Sequence, residues 1–526
     1  MSEQAALRDE RIRAAEVIAA SCLATDLGMG FPFEHGLHAT LMTMRLAELL
    51  EVDAQTASQT YYACLLMYTG CTTDAEVSIR IFEGGQTRNV TPVQFGSAIE
   101  ALRGVIRALP SADSPPHRRA FQIATRLPQA ARHHKPHFMA LCEVAQMLAE
   151  RLGLPPSVHR LFTYLTERWD GNGVLKRAEA EDVPLPLRIV HVARDAAYQR
   201  LIGGDEHAAD VIRGRAGGAF DPAIANLFAD HATEILAAAD EPESAWEATL
   251  AAEPRPWLTL EGDAIDRAVG AMGSFADLVS PSLAGHSSGV ATLAVAAAER
   301  CGFDTSDTVL VGRAALVHDV GRVAVHPRIW QKPGSLSADE WEQVRLHAYH
   351  TERVLARAPF LASLAGVACA HHERLDGSGY HRNATAASLS PASRLLAAAD
   401  AFHAMTEARP YREALPAEEA AKILGDEAGA GRHDPDLVAA VLEAAGQPVA
   451  RVERPAGLTE REAEVVGLLA RSLQTKQVAR TLDISVKTAD RHIQNAYRKM
   501  DVSTRAGATL FAMEHGLVPW GELPIS

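Results

Sequence analysis

The pattern of apolar and polar positions along the chain is helical for most of its length. Alanine and leucine dominate the apolar positions, whereas the aromatic residues that favour strands make up only 6% of the chain. This pattern predicts long helices almost throughout and almost no sheet. With 526 residues, the chain is too long for a single hydrophobic core, so we expect an all-α protein of several domains.

Two proline-containing stretches interrupt the helical pattern, EPRPWLTLEGD and GQPVARVERPAG. Each is a predicted domain boundary, because proline lacks a backbone donor and disfavours helix at the residue before it. The predicted domains are therefore residues 1–250, 257–447 and 456–526.

The first two predicted domains resemble each other in sequence. Residues 35–70 align without a gap on residues 286–321, so that His35 lies opposite His286 and Asp53 opposite Asp304. Further along, ERWDGNG corresponds to ERLDGSG, and the later FDP corresponds to HDP. Because these matches occur in one order, they indicate that a helical bundle has been duplicated.

The two copies differ where chemistry is expected. Seven residues of metal-binding types lie in or beside apolar helical patterns of the second copy: His286, His318, Asp319, His347, His371, His372 and Asp400. Opposite three of these sites, the first copy has Met67-Tyr68, Leu165-Thr166 and Arg194. The same scaffold does without the polar residues, so packing alone does not explain them in the second copy.

This donor set predicts a pair of divalent metal ions. Five imidazoles and two carboxylates without a thiolate suit Fe, Mn, Co, Ni or Zn better than Mg or Ca. Neighbouring helical residues point about 100° apart, so Asp319 could bridge two ions while His318 binds only one. Such a site would attract a phosphodiester and lower the pKa of bound water to about 7, which generates a nucleophile.

The order of these motifs is similar to a known family. A lone histidine, HDVGR, a downstream histidine, HHERLDGSGY, an aspartate after an apolar helix and RPYR together resemble the HD-GYP phosphohydrolases. The resemblance implies an all-helical fold, a site of two or three metals and hydrolysis of cyclic di-GMP. It implies metal contacts at the seven residues, with Asp319 and Arg322 catalytic. The implied substrate contacts are Arg322, Gly377, Tyr380, Arg409 and Arg412.

Three departures from the family pattern leave an alternative open. Arg322 replaces the lysine of HDxGK, and His381 replaces the proline of GYP. Ser282 stands where three-metal relatives carry glutamate, which favours two metals. The chain could therefore be a phosphodiesterase, or a ligand-sensing transcription factor whose site binds metal and nucleotide without turnover.

The last seventy or so residues predict four short helices. LTEREAEVVGLLARSL begins with Thr459 as the predicted N-cap and has Glu462 three residues later, which is a capping box. TKQVARTLDIS and SVKTADRHIQNAYRKM follow, the latter with Ser485 as its predicted cap, and STRAGATLFAMEHG closes the segment.

One face of the third of these helices is predicted to bind DNA. Lys487, Arg491 and Asn495 are spaced by four and share a face, while Ile493 and Ala496 lie on the opposite, apolar side. The predicted DNA contacts are Lys487, Thr488, Arg491, His492, Asn495, Arg498 and Lys499. The segment resembles the LuxR-type DNA-binding domain, which implies a helix in the major groove and a homodimer.

Charge and composition restrict where these activities can act. The net charge of −15 argues against nucleic-acid binding along the whole chain, so any DNA contact must be local. The start of the chain lacks a signal-peptide pattern, and no window reaches eighteen uncharged apolar residues. The six cysteines show no CxxC pairing. We therefore expect a cytoplasmic transcriptional regulator without a membrane segment.

Overall fold

The fold is helical, as the sequence predicts. The structure is a computed structural model, and it describes residues 11–72, 95–110, 114–240, 243–446, 456, 458–471, 473–482, 484–515 and 517. Among these residues the only strands are β1 (Arg11–Arg13) and β2 (Thr259–Glu261). No described helix combines the length and the apolar character that crossing a membrane requires. The chain divides into two compact units, one of Arg13–Thr259 and one of Met1–Ile12 with Leu260–Ser526.

The unit formed by residues 13–259 contains ten α-helices in its described part. They are α1 (Ala14–Met29), α2 (His35–Leu49), α3 (Ala54–Leu65), α4 (Ala98–Ala108), α5 (Pro116–Arg151), α6 (Pro156–His159), α7 (Leu185–Gly214), α8 (Pro222–Asp230), α9 (Ala232–Ala237) and α10 (Ala245–Ala251). Its 3₁₀ helices are Thr69–Thr72, Arg160–Tyr164 and Ala180–Asp182. Helix α1 lies in the core, because it is buried on every side from Ala14 to Asp26 except at Glu16.

The other unit contains ten further α-helices up to residue 445. They are α11 (Asp263–Asp277), α12 (His286–Arg300), α13 (Thr305–Val317), α14 (Pro327–Trp330), α15 (Ala338–Arg345), α16 (His347–Leu355), α17 (Pro359–Ala368), α18 (Pro391–Thr406), α19 (Ala417–Gly429) and α20 (Pro435–Ala445). Its 3₁₀ helices are Pro281–Leu283, Val320–Ala324 and Ala386–Ser388.

The two copies begin their helices at aligned positions. Helices α2 and α12 are both fifteen residues long and start at His35 and His286. Asp53 caps α3 by accepting a hydrogen bond from a backbone N–H three residues on, and Asp304 caps α13 in the same way. A side-chain cap satisfies a backbone donor that the helix leaves open. The aligned aspartates therefore set the same helix starts in both copies.

Two buried polar contacts also recur. The Asp26 carboxylate accepts the backbone N–H of Gly36 at 2.9 Å, and Asp277 accepts that of Ser287 at the same distance. Near the end of each copy an arginine pairs with the aspartate that caps a later helix. These pairs are Arg188 with Asp221 at 2.8 Å and Arg394 with Asp434 at 3.2 Å. The duplication inferred from sequence therefore extends to specific hydrogen bonds and ion pairs.

The C-terminal segment folds into four helices. They are α21 (Glu460–Ala470), α22 (Thr475–Thr481), α23 (Val486–Met500) and α24 (Arg505–Glu514). The predicted capping box is present, because Thr459 and Glu462 exchange hydrogen bonds, and Ser485 caps α23. Val465, Leu469, Val478, Ala489 and Ile493 form the core of the segment. The linker prolines at 448 and 455 lie outside the described residues.

Candidate metal centre and nucleic-acid interface

Six of the seven predicted ligands lie at or just beyond the ends of helices, and the seventh lies within a helix. His286 begins α12, His318 follows α13, His347 begins α16 and Asp400 lies within α18. Asp319 precedes the 3₁₀ helix Val320–Ala324, and His371 and His372 follow α17. Two groups of potential ligand atoms result, each with its atoms within 4.8 Å of one another: Asp319, His347, His371 and His372; and His286, His318 and Asp400.

The Asp319 carboxylate faces both groups. Its Oδ2 lies 2.8 Å from His318 Nε2 and 3.5 Å from His286 Nε2. Its Oδ1 lies 3.1 Å from His347 Nε2 and 3.4 Å from His371 Nε2. One carboxylate thus has an oxygen directed to each set of imidazoles, which is the geometry of a bridging ligand.

The Asp400 carboxylate also has one oxygen near each of the two groups of imidazoles. Its Oδ1 lies 3.2 Å from His286 Nε2 and 3.7 Å from His318 Nε2, whereas its Oδ2 lies 3.8 Å from His372 Nδ1. The two carboxylates and five imidazoles therefore converge on one place, as the sequence predicts.

Three of the imidazoles are oriented by the helix that precedes them. The Nδ1 atoms of His318, His347 and His371 bond the carbonyl oxygens three residues earlier, at 2.6, 2.5 and 2.6 Å. Each carbonyl belongs to the last turn of a helix. Because Nδ1 carries the proton in such a bond, the lone pair of Nε2 is left free to bind a cation.

The chemistry of the buried atoms fits a metal. Within the described part of the chain, both Asp319 oxygens, Asp400 Oδ1 and His318 Nε2 are buried and make no well-aligned hydrogen bond, although charged and polar atoms lie close to them. Burial lowers the pKa of His371 to about 4, which keeps its imidazole neutral, the form that binds metal. Buried carboxylates usually pair or bind a metal, so these donors could hold metal ions.

Arg322 lies inside the ligand cluster. Its Nη2 is 2.5 Å from Asp319 Oδ2 and 3.4 Å from His286 Nε2, and the side chain is only 6% exposed. Its guanidinium also lies over the Trp330 ring, 5.5 Å from the centroid. The positive charge predicted to contact phosphate is therefore next to the carboxylate predicted to bridge the ions.

The two arginines of RPYR face the protein. Arg409 Nη2 lies 2.7 Å from Glu407 Oε2, and its Nη1 donates to the Ser282 carbonyl at 3.1 Å. Arg412 donates to the carbonyls of Met405 and Ala404 near the end of α18. Their predicted role in substrate binding remains a prediction.

The DGSGYH loop covers one side of the cluster. Tyr380 stacks on His372 with ring centroids 4.2 Å apart, and burial raises the pKa of its phenol to about 12. Gly377 adopts a positive φ of 80°, which L-residues with a side chain rarely adopt, so glycine is required for this turn. His372 has 17% of its side chain exposed, whereas Asp400 has 3%. The cluster is thus most open to solvent beside His372.

Sequence reasoning missed two polar neighbours of His286. His403 and Glu407 form a third group of potential ligand atoms with it, again within 4.8 Å. Both follow Asp400, at spacings of three and seven, which places them on the same side of a helix. That periodicity was the available signal.

The predicted DNA-binding face lies on α23 opposite the apolar core. Lys487, Arg491 and Arg498 are exposed, whereas Ala489 and Ala496 are buried. Asn495 is half-buried and accepts a hydrogen bond from Arg498 at 3.3 Å. Thr488 and His492 are half-buried as well. The core side was predicted correctly, and the outward residues form a basic, polar face.

Lys499 has a structural partner. Its Nζ lies 2.6 Å from Glu462 Oε2, in the carboxylate that completes the capping box of α21. The ion pair ties α23 to the start of α21. Its predicted contact with DNA therefore competes with a contact inside the domain.

Comparison with known families assigns two parts of the chain. Residues 271–437 match the HD domain family, and residues 456–512 match the luxR family of bacterial regulatory proteins. The HD match contains all seven predicted ligands, and the luxR match contains α23.

Relatives extend the comparison. The 3'3'-cGAMP-specific phosphodiesterase 3 of Vibrio cholerae is 27% identical over 435 residues, which cover 82% of this chain and 94% of the relative. The cyclic di-GMP phosphodiesterase of Thermotoga maritima is 34% identical over 160 residues, which cover 30% of this chain and 43% of that protein.

A solved structure shares the fold. The crystal structure of a cyclic GMP-AMP-specific phosphodiesterase of V. cholerae aligns with a TM-score of 0.57 and 24% sequence identity, over 84% of this chain and 99% of that one. Together with the two family matches, these similarities show that the chain carries an HD domain followed by a C-terminal domain of the luxR family, and that its relatives are HD-GYP-type cyclic nucleotide phosphodiesterases.

Proposed function

We propose that the chain is a metal-dependent cyclic dinucleotide phosphodiesterase fused to a DNA-binding regulatory domain. The observation that carries this proposal is the Asp319 carboxylate, whose two oxygens are directed to two different sets of imidazoles. A ligand divided in this way suits two divalent ions, one beside His286 and His318 and one beside His347 and His371.

The donor set also restricts the kind of ion. Imidazoles and carboxylates without a thiolate favour Fe, Mn, Co, Ni or Zn. When bound, such ions supply Lewis-acid charge to a phosphodiester and a water nucleophile near neutral pH.

The residues of the chain have separate tasks in this proposal. His286, His318, His347, His371, His372, Asp319 and Asp400 hold the ions. Arg322 contributes a fixed positive charge that attracts a phosphate oxygen, because its guanidinium lies within the cluster. Substrate approaches the open side beside His372 and Tyr380, with Gly377 shaping the loop. Arg409 and Arg412 remain proposed contacts for the outer part of the substrate.

The activities of the relatives indicate the substrate class. One is specific for 3'3'-cGAMP and another acts on cyclic di-GMP, so we propose a 3'–5' cyclic dinucleotide as substrate. The test is to incubate Mn²⁺-loaded protein with each compound and to follow linear dinucleotide and mononucleotide by chromatography. We expect product from at least one of them, and none from an Asp319→Asn variant.

The alternative is a ligand-sensing regulator without turnover. Arg322 and His381 depart from the family pattern, and they are the observations that favour it. Tight binding of either dinucleotide, with no product across Mn²⁺, Fe²⁺ and Ni²⁺ loading, would support this alternative and exclude the phosphodiesterase.

The luxR-family domain supports the proposed output, which is DNA binding as a homodimer in the cytoplasm. Cys22, Cys64, Cys142, Cys301 and Cys369 are free, which fits a reducing compartment. Lys487 and Arg491 are exposed on α23 and available to phosphates. Replacing both with alanine should lower the slope of log affinity against log salt by about 2, because each phosphate contact contributes about 0.9.

Arg461→Ala is the matched control for this measurement. Since Arg461 is paired with Glu464 on α21 and is not among the predicted DNA contacts, its loss should leave the salt slope unchanged. An unchanged slope in the Lys487/Arg491 double variant would exclude this face. Sedimentation of the protein with and without a two-half-site DNA tests the homodimer.

A further inference from the structure

His286 differs from the other imidazoles in the way that it is oriented. Its Nε2 faces the carboxylates of Asp400 and Asp319, at 3.2 and 3.5 Å. Its Nδ1 lies 2.8 Å from Glu407 Oε2, and not at a backbone carbonyl as in His318, His347 and His371. His286 is the first residue of α12, and the partner at its Nδ1 lies 121 positions away in the sequence.

We propose that Glu407 is a positioning residue. It accepts a hydrogen bond from the Nδ1–H of His286 and so directs the Nε2 lone pair to the metal centre. A carboxylate in this place orients the ring. It also makes Nε2 a stronger metal ligand, because negative charge beside Nδ1 raises the basicity of Nε2. The inference rests on the proposed function, since it concerns the same site.

Glu407 is itself held from two sides. Arg409 Nη2 lies 2.7 Å from Oε2, and His403 Nδ1 lies 3.4 Å from Oε1. The His403 imidazole packs closely against α12 at Gly289. A Cβ at this position would lie 2.0 Å from His403 Nε2, which is too close for any side chain. A glycine at this position therefore leaves room for the imidazole that supports the carboxylate. The Arg409 guanidinium thus also holds this carboxylate in place.

The first copy lacks this arrangement. Extending the alignment of Asp400 with Arg194, the positions of His403 and Glu407 are occupied by Ala197 and Leu201, and Leu201 is 51% exposed. Its aligned histidine, His35, has an Nε2 that is buried without a hydrogen-bond partner among the described residues. The carboxylate therefore accompanies the histidine only in the copy whose ligand set is complete.

A further metal ion bound by His286, His403 and Glu407 is the competing interpretation. It would require metals on both nitrogens of one imidazole, which then has to lose both of its protons. The contacts favour the hydrogen bond.

The test compares metal affinity in the full-length protein. We expect Glu407→Ala to weaken Mn²⁺ binding, measured against a competing chelator, by about 10- to 100-fold, the usual effect of losing such a partner. The Mn²⁺ affinity of Glu407→Gln should lie between those of this variant and the wild type, because its amide oxygen still accepts the hydrogen bond but carries no charge. The Co²⁺-loaded protein should show a changed visible spectrum in both variants, which a loss of stability alone would not produce.

Glu418→Ala is the control, because Glu418 is an exposed glutamate on α19. At saturating Mn²⁺, Glu407→Ala should hold as many ions per chain as the wild type. Affinity within twofold of wild type would overturn the proposal, and so would the loss of one ion per chain, which would indicate the further metal site. If Glu407→Ala does not fold, the Mn²⁺ affinity and the number of ions per chain are measured for Glu407→Gln instead, with the same outcomes overturning the proposal. A wild type that binds Mn²⁺ but hydrolyses no dinucleotide contradicts the proposed function and leaves this comparison valid.

Discussion

The two copies of the helical bundle differ most in what stands beside their aligned buried aspartates. In the second copy, Ser287 donates its hydroxyl to Asp277 at 2.8 Å, and imidazoles and carboxylates gather nearby. In the first copy, glycine replaces the serine, so the Asp26 Oδ1 has no hydroxyl beside it. The space beside Gly36 is filled by Cys22, whose Sγ is 2.2 Å from the point where a Cβ would lie, and next by Arg194, which is aligned with the predicted ligand Asp400.

The Arg194 guanidinium is fully buried in the first copy. It lies over the Tyr68 ring at 4.7 Å, and Tyr68 aligns with Asp319. Its Nη1 and the Asp26 Oδ1 are each 3.2 Å from the point where a Cβ of Gly36 would lie. Burial raises the pKa of Asp26 to about 7, and the guanidinium opposes that rise. Both copies thus hold positive charge near this aspartate, from Arg194 in the first copy and from Arg322 and, on our proposal, ions in the second.

The largest difference between the copies should appear when Asp319 is changed. Asp319→Asn removes the charge shared between the two sets of imidazoles, so bound Mn²⁺ and hydrolysis should both fall below detection while the circular dichroism spectrum stays native. Tyr68→Phe, at the aligned position of the first copy, is the control and should leave both unchanged. Wild-type metal content in Asp319→Asn, measured by plasma emission, would remove the basis of the comparison.

Arg194→Met tests the first copy in the opposite way. Because the Arg194 guanidinium is the cation that favours the charged form of the buried Asp26, we expect its removal to lower the free energy of unfolding by up to about 3 kcal/mol. Metal content should not change. Arg213→Met, at an arginine whose side chain is 51% exposed, should cost less than about 1 kcal/mol. Urea denaturation measures both, and equal effects would contradict the assigned role of Arg194.

Metal removal should separate the stabilities of the copies. A ligand at one hundred times its dissociation constant stabilises the folded state by about 2.7 kcal/mol, so chelation should lower protection of α13 by that order. Helix α1 should keep its protection, because its copy holds its own cation. Hydrogen exchange with and without chelator gives both values, and equal loss in the two helices would show that the first copy also depends on metal.

The smallest effect concerns the serine. Ser287→Ala deletes the hydroxyl bond to Asp277 and should cost about 1 kcal/mol, the usual contribution of a buried hydrogen bond. Ser288→Ala, at the next and half-buried position, should be nearly neutral. Thermal melts of the two variants measure the difference. A neutral Ser287→Ala would mean that the serine does not distinguish the copies.

Much of the fold and the ligand set could be predicted from the sequence. Buried polar residues in apolar patterns, such as Asp400, must find partners, and a duplicated scaffold shows which residues its packing does not need. The cap at Thr459 was predictable because its hydrogen bonds span only three residues. These features depend on local spacing.

The partners of long side chains could not be predicted in this way. Arg409 and Lys499 carry the charge that substrate or DNA binding requires, yet the structure pairs them with Glu407 and Glu462. The choice depends on distances between elements that are far apart in sequence. The link between Glu407 and His286 spans 121 positions, so the spacing of Glu407 from Asp400 could indicate its side of the helix but not its partner.

Three of the imidazoles take their orientation from a carbonyl three residues earlier in the chain. Each short segment thus contains the carbonyl that orients its own imidazole, so losing one histidine should leave the orientation of the others unchanged. A centre assembled from such independent parts can decay by single substitutions after gene duplication while every intermediate still folds. Ancestral or hybrid copies that retain only some of the histidines should therefore be stable proteins with graded metal affinity.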